Sequence, residues 1–425
     1  MVDTTTTNEE ALNTYIHDIG GYVAAELEAC TRCGMCAQAC HFYVATEKVE
    51  YTPIWKVDLL RRAYEQRFTL SGRLKSALGG GQEVTSDDLQ RWVEYDYYAC
   101  TMCQRCAMVC PMGIQIGSLI HEARAGLYNA DLIPADLKKA LDGQLEIGSP
   151  LGVDDATFED RLDWVSDDWE VEFPVDKQGA DALLVFSSIE IMKFPDNMAD
   201  IAKILDAGGV NWTLSQEGRE VTNFGLYAGS DEKEEEIALR VINAAKRLGV
   251  KQVIVSECGH AYDALRFRIA NLLGEKLPFE VVHITEVIGD LLARGKIQLK
   301  PDVIENKITF HDACKIQRLG GIFDPPRTAL HTLAGDNFIE MTPNREEAWC
   351  CGGGGGVIAI KEADTVRRAA FGLKIDQINA TGAKQVVMTC SNCRLQFADC
   401  VDHFALDWKV SGLAQIVAEN MVEEE

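Results

Sequence analysis

The chain has 425 residues, 47% of them hydrophobic, with a formal net charge of −25; it is a folded chain with material for more than one domain. The acidity excludes the basic footprint that nucleic acid requires and the polybasic surface that docks on anionic lipid, and it serves solubility. Met1 to Glu10 is polar and acidic with no apolar signal core, and no stretch approaches the roughly 18 apolar residues that cross a bilayer, so the sequence predicts a protein made and kept in the cytoplasm.

In chain order, residues 11–28 read as helix leading into a first cysteine run. Pro53 to Glu65 reads as a helix with Pro at its start and Ile54, Val57, Leu59 and Leu60 on an apolar face. Residues 71–88, through Gly79-Gly80-Gly81, read as a polar loop, and Gln115 to Gly126 as a helix after a second cysteine run. Pro134, Pro150 and Pro174 with acidic stretches make 131–180 a linker that wraps the surface. From Asp181 the pattern becomes strands (Ala182–Phe186, Gln252–Val255, 308–310, Gln385–Met388) alternating with helices (234–248, 363–380), which implies parallel sheet. Gly249-Val-Lys-Gln-Val-Ile-Val-Ser256 matches Gly382-Ala-Lys-Gln-Val-Val-Met-Thr389 at an offset of 133. Both end at the carboxyl tip of a strand, where ligands of open α/β sheets sit. The expected division is therefore 1–130, a linker over 131–180, and two related α/β domains over 181–300 and 301–425.

Of fifteen cysteines, thirteen fall into three spaced sets, and in a reducing compartment that points to metal rather than disulfides. Cys30-Thr-Arg-Cys33-Gly-Met-Cys36-Ala-Gln-Ala-Cys40 is repeated as Cys100-Thr-Met-Cys103-Gln-Arg-Cys106-Ala-Met-Val-Cys110. Three thiolates at this spacing wrap one [4Fe–4S] cubane and the fourth reaches the other cluster, as in two-cluster ferredoxins. The expected sets are Cys30, Cys33, Cys36 and Cys110 for one cubane, and Cys100, Cys103, Cys106 and Cys40 for the other. His41 stands where proline is usual. Zinc needs four tetrahedral ligands and no such run; a zinc scaffold would be colourless and free of iron.

The third set is Cys314, Cys350-Cys351 and Cys390-Ser-Asn-Cys393, with Gly352 to Gly356 following the pair. The glycines, Gly352, Gly353 and Gly354 first, let backbone approach a cluster and offer N–H donors to sulfur. This set resembles the cysteine-rich CCG domain of the heterodisulfide reductase family, and the whole chain resembles that family's D-type chain and its relatives in sulfate reducers. The resemblance implies an N-terminal helical ferredoxin-like domain with two [4Fe–4S] clusters followed by two related α/β CCG-type domains, an α+β and α/β architecture. It implies a non-cubane [4Fe–4S] cluster on Cys314, Cys350, Cys351, Cys390 and Cys393 at which a disulfide is split. Splitting takes two electrons while clusters deliver one at a time, so an open thiophilic iron has a chemical purpose.

The first repeat departs from the family pattern. Glu257 stands at the position of Cys390 and His260 at that of Cys393. Cys258 aligns with Ser391, Thr222-Asn223-Phe224-Gly225 is the best match to Cys-Cys-Gly, and Ser187-Ser188 offers no counterpart of Cys314. That half is expected to hold no cluster; Glu257, Cys258 and His260 are either a zinc or substrate site or plain strand-tip residues. His311, before Cys314, is placed to protonate a leaving thiolate, and Lys315 and Arg318 either bind an anionic thiol substrate or pair with nearby acids. Cys400 lies outside every set and reads as core. No Rossmann fingerprint or phosphate loop is present, so neither flavin nor NAD is expected.

The expected partners are redox subunits of a complex, a membrane b-type cytochrome or a flavoprotein, which would hold the chain at the inner membrane face. The expected substrate is a small or protein-bound disulfide or thiol. The competing reading is an electron-transfer subunit of a flavoprotein 2-hydroxy acid or glycerol-3-phosphate dehydrogenase, passing electrons towards quinone.

Overall fold

The computed structural model describes residues 8–17, 19–78 and 84–422. The polar opening as far as Thr7 and the glycines Gly79, Gly80 and Gly81 lie outside the described residues. The chain divides into two compact units. The first gathers Met1–Lys139 with two returning loops, Gly225–Ser230 and Gly352–Leu373, and the second holds the rest.

The first unit is helical. The helix expected over 11–28 is two, Asn8–Tyr15 and Gly21–Ala29, because Gly20 takes an extended conformation at the junction. The helix expected from Pro53 is Pro53–Lys56 followed by Asp58–Phe68, with Val57, Leu59 and Leu60 buried. The polar loop expected over 71–88 is corrected within its described residues, most of which fall in helices Leu70–Ala77 and Ser86–Val93. Thr85 starts the second with a capping box, its hydroxyl accepting from Asp88 N while the Asp88 carboxylate accepts from Thr85 N. That Thr-x-x-Asp signal lay in the sequence beneath the polar composition. The helix after the second cysteine run is Ile116–Asn129.

The segment 131–180, expected as a linker, contains helices Ala135–Ile147 and Asp155–Trp169. The prolines lie outside these helices: Pro134 just before the first, Pro150 between the two and Pro174 after the second. The Asp154 carboxylate caps the second by accepting from Thr157 N at 2.8 Å, and Phe158, Leu162 and Val165 enter the core.

The second unit carries two parallel sheets. The first has β1 (Ala182–Val185), β2 (Trp212–Thr213), β3 (Gln252–Val255) and β4 (Glu280–His283) in the order β2-β1-β3-β4. The second has β5 (Ile308–His311), β6 (Gln385–Met388) and β7 (Lys409–Gly412) in the order β5-β6-β7. β1 and β3 pair in the same register as β5 and β6, so the sequence repeat is a structural one. Both repeats enter their strand through a glycine in the left-handed region, Gly249 at φ +67° and Gly382 at φ +71°.

The two sheets share one apolar core, in which Leu184, Ile254 and Val282 of the first pack with Phe310 and Val387 of the second. Helix Pro195–Ala207 from the first half packs on helix Leu413–Glu419 from the second. The segments aligned as Cys-Cys-Gly in the two halves behave alike. Each leaves the second unit at that point, after Phe224 in one half and after Cys351 in the other, and joins the first unit.

Candidate metal centres

The two N-terminal cysteine runs fold alike. Arg32 and Gly34 flank Cys33 at φ +56° and +80°, and Met102 and Gln104 flank Cys103 at φ +51° and +64°. Three of these four carry side chains, for which the left-handed region costs on the order of 1 kcal/mol each. Such strain at equivalent points of both runs marks ligand clamps. One cavity is lined by Cys30, Cys33, Cys36 and Cys110, the other by Cys40, Cys100, Cys103 and Cys106. Four soft sulfur donors in each, with Pro53, Ile54 and Leu119 walling the first, fit an iron–sulfur cluster.

Arg124, fully buried on helix Ile116–Asn129, ties this unit together. Its guanidinium makes five hydrogen bonds to four carbonyls: Asp96 at 3.0 and 2.8 Å, and Cys100, Tyr227 and Gly355 at 2.8 Å each. One side chain thus fixes a cysteine of the second cavity and both returning loops. Gly355, at φ +62°, is required there, because a Cβ would stand 2.7 Å from the Thr101 backbone. The glycine run therefore brings backbone against the segment that follows Cys100, a use of Gly355 that composition did not reveal.

The third set sits at the carboxyl tips of β5 and β6. Cys314 opens a single π-helical turn after β5, half-buried. Cys390 is the N-cap of helix Ser391–His403 and Cys393 lies in its first turn, where the helix dipole favours thiolates. Cys350, Cys351, Cys390 and Cys393 are all buried. The Cys351 and Cys393 sulfurs are 3.3 Å apart, and a His311 ring nitrogen lies within 4.8 Å of both. Hydrogen bonds from Cys350 and Cys393, with the His311 ring close by, hold the Cys351 thiol well below its usual range, while Cys393 keeps its proton. Cys390 is lowered by its hydrogen bonds with Cys393 and with the Gly259 backbone N–H. Clustered sulfurs, with Cys351 and Cys390 shifted towards thiolate, are a donor set suited to iron and sulfide.

Burial and the charge of Lys374 push His311 below its ordinary value, so its imidazole is neutral. Lys374 is itself buried and pushed down to about 8, first by burial, and it donates to Gln377 Oε1 at 2.8 Å. No spacing signal pointed to Lys374. Lys315 and Arg318 are committed: Lys315 is buried against Asp263 at 2.5 Å, and Arg318 donates to the Glu346 and Ala348 carbonyls.

Glu257, Cys258 and His260 diverge. The Glu257 carboxylate accepts from Ala414 N at 2.9 Å, and burial raises it to about 8. Cys258 Sγ caps helix Gly259–Asp263. No metal-capable group among the described residues contains two of the three. Cys400 is fully buried and accepts from Gln396 Nε2.

A family model described as a cysteine-rich domain, CCG, matches residues 308–398, and one described as a 4Fe-4S dicluster domain matches residues 26–114. The D chain of dihydromethanophenazine:CoB–CoM heterodisulfide reductase from Methanosarcina mazei is 30% identical over 93% of this chain and 94% of its own length. The chain belongs to the D-type heterodisulfide reductase family.

An Hdr-like menaquinol oxidoreductase iron-sulfur subunit of Archaeoglobus profundus is 25% identical, covering 93% of this chain and 79% of its own. An EtfAB:quinone oxidoreductase of Syntrophomonas wolfei is 26% identical over 91% of this chain and 57% of its own. This D-type chain is accordingly an iron–sulfur oxidoreductase subunit whose relatives are components of redox complexes. Among the described residues, no helix is long and apolar enough to cross a membrane.

Proposed function

We propose that this chain passes electrons from its two ferredoxin cavities to the third cysteine set, where an S–S bond is reduced or, in reverse, two thiols are oxidised. In this reading Cys30, Cys33, Cys36 and Cys110 hold one [4Fe–4S] cubane and Cys40, Cys100, Cys103 and Cys106 the other. Cys314, Cys350, Cys351, Cys390 and Cys393 hold a non-cubane cluster, with Gly352, Gly353 and Gly354 beside it. When bound, these clusters supply one-electron transfer and, at the third set, an iron that attracts sulfur. The balance is RS–SR + 2 e⁻ + 2 H⁺ → 2 RSH.

The observation that carries the proposal is the convergence of Cys351, Cys393 and His311 in one buried group at the strand tips. The residues have separable tasks. The helix starting at Ser391 orients Cys390 and Cys393. His311 offers an N–H to sulfur, and Lys374 holds a proton close to neutrality behind Cys350 and Cys351. The partners are further redox subunits, a membrane b-type cytochrome or a flavoprotein, and through them the chain sits at the cytoplasmic membrane face.

A second reading has a specific observation in its favour: the match to an EtfAB:quinone oxidoreductase over 91% of this chain. There the chain would be a relay towards quinone with no disulfide. The two separate on one experiment. Anaerobic holoprotein is oxidised in the presence of low-molecular or protein thiols and examined by electron paramagnetic resonance. A thiol-dependent signal absent from Cys351→Ser supports disulfide chemistry. No such signal with any thiol, with electrons passing to quinone instead, sinks it.

A further inference from the structure

The two ferredoxin cavities are built on one repeat yet differ in charge. The first is walled by Pro53, Ile54, Val57, Ile114, Ile116 and Leu119, and its one charged lining residue, Arg32, is exposed and paired with Glu65 at 2.8 Å. The second is lined by His41 and Lys56, which are 2% and 1% exposed. Lys56 Nζ lies 3.5 Å from Cys40 Sγ and also donates to the carbonyl of Ala99, the residue before Cys100. It stands 5.4 Å from the centre of the Phe42 ring.

His41 occupies the repeat position of Pro111, and both its ring nitrogens are buried without a hydrogen-bond partner among the described residues. Either tautomer carries one N–H donor. The Arg124 guanidinium, bonded to the Cys100 carbonyl, is a second buried cation on this side. The buried Asp96 carboxyl lies near both charges, but burial raises it well above the usual carboxylate range and so limits the negative charge it sets against them; its two oxygens lack a partner among the described residues.

We propose that Lys56 and His41 make the site on Cys40, Cys100, Cys103 and Cys106 the higher-potential of the two, so that electrons entering at the exposed Cys33 side move to it. The inference rests on the reading that each cavity holds a [4Fe–4S] cluster. Uptake of one electron adds one negative charge, and cluster potential follows net charge, hydrogen bonds to sulfur and solvent exposure. An ammonium in contact with a thiolate inside the protein favours that charge. The orphaned imidazole N–H has sulfur as its available acceptor. Water at the exposed Cys33 favours the electron at the first site, but dipoles of water do not match a full charge at contact distance in low dielectric. In the transfer one electron leaves the first site and one arrives at the second, with no proton or bond change.

The test is a potentiometric titration of the anaerobic holoprotein followed by electron paramagnetic resonance, after iron and acid-labile sulfide show both cubanes. The wild type should reduce in two steps separated by at least a tenfold ratio of reduced to oxidised, about 59 mV for a one-electron couple. Lys56→Gln keeps an N–H donor and removes the charge; it should lower the upper step by tenfold or more and leave the lower one in place. Lys56→Arg should restore the upper step, and His41→Pro, which copies Pro111, should lower it by less. Cys33→Ser should move only the lower step. The inference is overturned by coincident midpoints in the wild type, by Cys33→Ser moving the upper step, or by Lys56→Gln moving neither. If Lys56→Gln fails to assemble, the wild-type separation and Cys33→Ser decide. Wild type lacking one cubane overturns the two-cluster reading itself, which is a distinguishable result.

Discussion

At the tip of β6 the chain reads Cys390-Ser391-Asn392-Cys393; at the equivalent tip of β3 it reads Glu257-Cys258-Gly259-His260. The strands, their register and the glycines that lead into them are the same, and the chemistry at the tips is not. In the cysteine-bearing half, sulfurs converge. In the other half the Glu190 carboxylate takes their place as a hub. It accepts from Ser187 N and Oγ at 2.9 and 2.7 Å, from Ser256 Oγ at 2.5 Å, from Glu257 N at 3.1 Å and from Asn197 Nδ2 at 3.0 Å. Glu220 does the same for Ser188 N, Thr222 N and Gln144 Nε2.

The tips of parallel strands leave polar groups that need acceptors, and a buried crevice must satisfy them. A group of buried sulfurs occupies the tips in one half, and the Glu190 and Glu220 carboxylates accept at the tips in the other. The second solution also braces the first: Ser391 N donates to the Glu257 carbonyl at 2.6 Å, and the Ser187 and Ser391 hydroxyls are 3.1 Å apart. A half that has lost its thiols thus keeps a positional task.

The sharpest way to break this comparison is Cys351→Ser. If only the cysteine-bearing half does chemistry, disulfide turnover falls roughly a hundredfold or more. Iron content falls by about a third while the ferredoxin signals persist. Equal loss of all iron would show that the third set does not assemble independently.

Arg124→Met follows. Arg124 holds the loops of both halves, Tyr227 and Gly355, together with Cys100. Its removal leaves four carbonyls without their donor and should cost about 3–5 kcal/mol in urea unfolding. A loss below about 1 kcal/mol would mean that other donors replace it.

Glu190→Gln turns an acceptor hub partly into a donor. It should cost about 1–3 kcal/mol, read as a lower unfolding midpoint, with cluster iron unchanged. If it removed iron instead, the first half would be part of the metal site.

The smallest effect concerns the junction of the halves. Asp200, on helix Pro195–Ala207, is raised to about 7 by burial first and then by Asp196 and Glu419, with Lys203 and Arg394 opposing. As pH rises past about 4 the unfolded chain releases this proton while the folded protein retains it. Stability is therefore lost progressively from about pH 4 to about pH 7 and is flat above. Asp200→Asn should remove that slope and gain about 1–3 kcal/mol at pH 8. Parallel stability curves for the two proteins would refute the assignment.

Much of the molecule was legible in the sequence because the signals are local. Cysteine spacing, the glycine before each repeated strand and the apolar runs of β1, β3, β5 and β6 are properties of a few consecutive residues. Polar segments were harder. Leu70–Ala77 and Ser86–Val93 read as loop because composition masked a capping box, and β2, β4 and β7 are too short or too polar to stand out. Whether Lys315 and Arg318 bind an anion or pair within the protein stayed open in the sequence because their acceptors, Asp263 and two backbone carbonyls, are supplied by chain folded from elsewhere.

The sequence by itself determined how the cysteines are spaced into sets and that the α/β region is a repeat with one half lacking the spaced cysteines. The crossing of Cys110 and Cys40 to the other run's cavity was already expected from the spacing, and the two cavities group the cysteines in that way; tertiary structure alone decided what surrounds them. It alone buried Lys56, His41 and Arg124 beside the second set, and sent the two equivalent loops into the first unit. The physical reason is distance along the chain. Spacing encodes what neighbours in sequence can do together, whereas a buried charge finds its acceptors only when remote segments close around it.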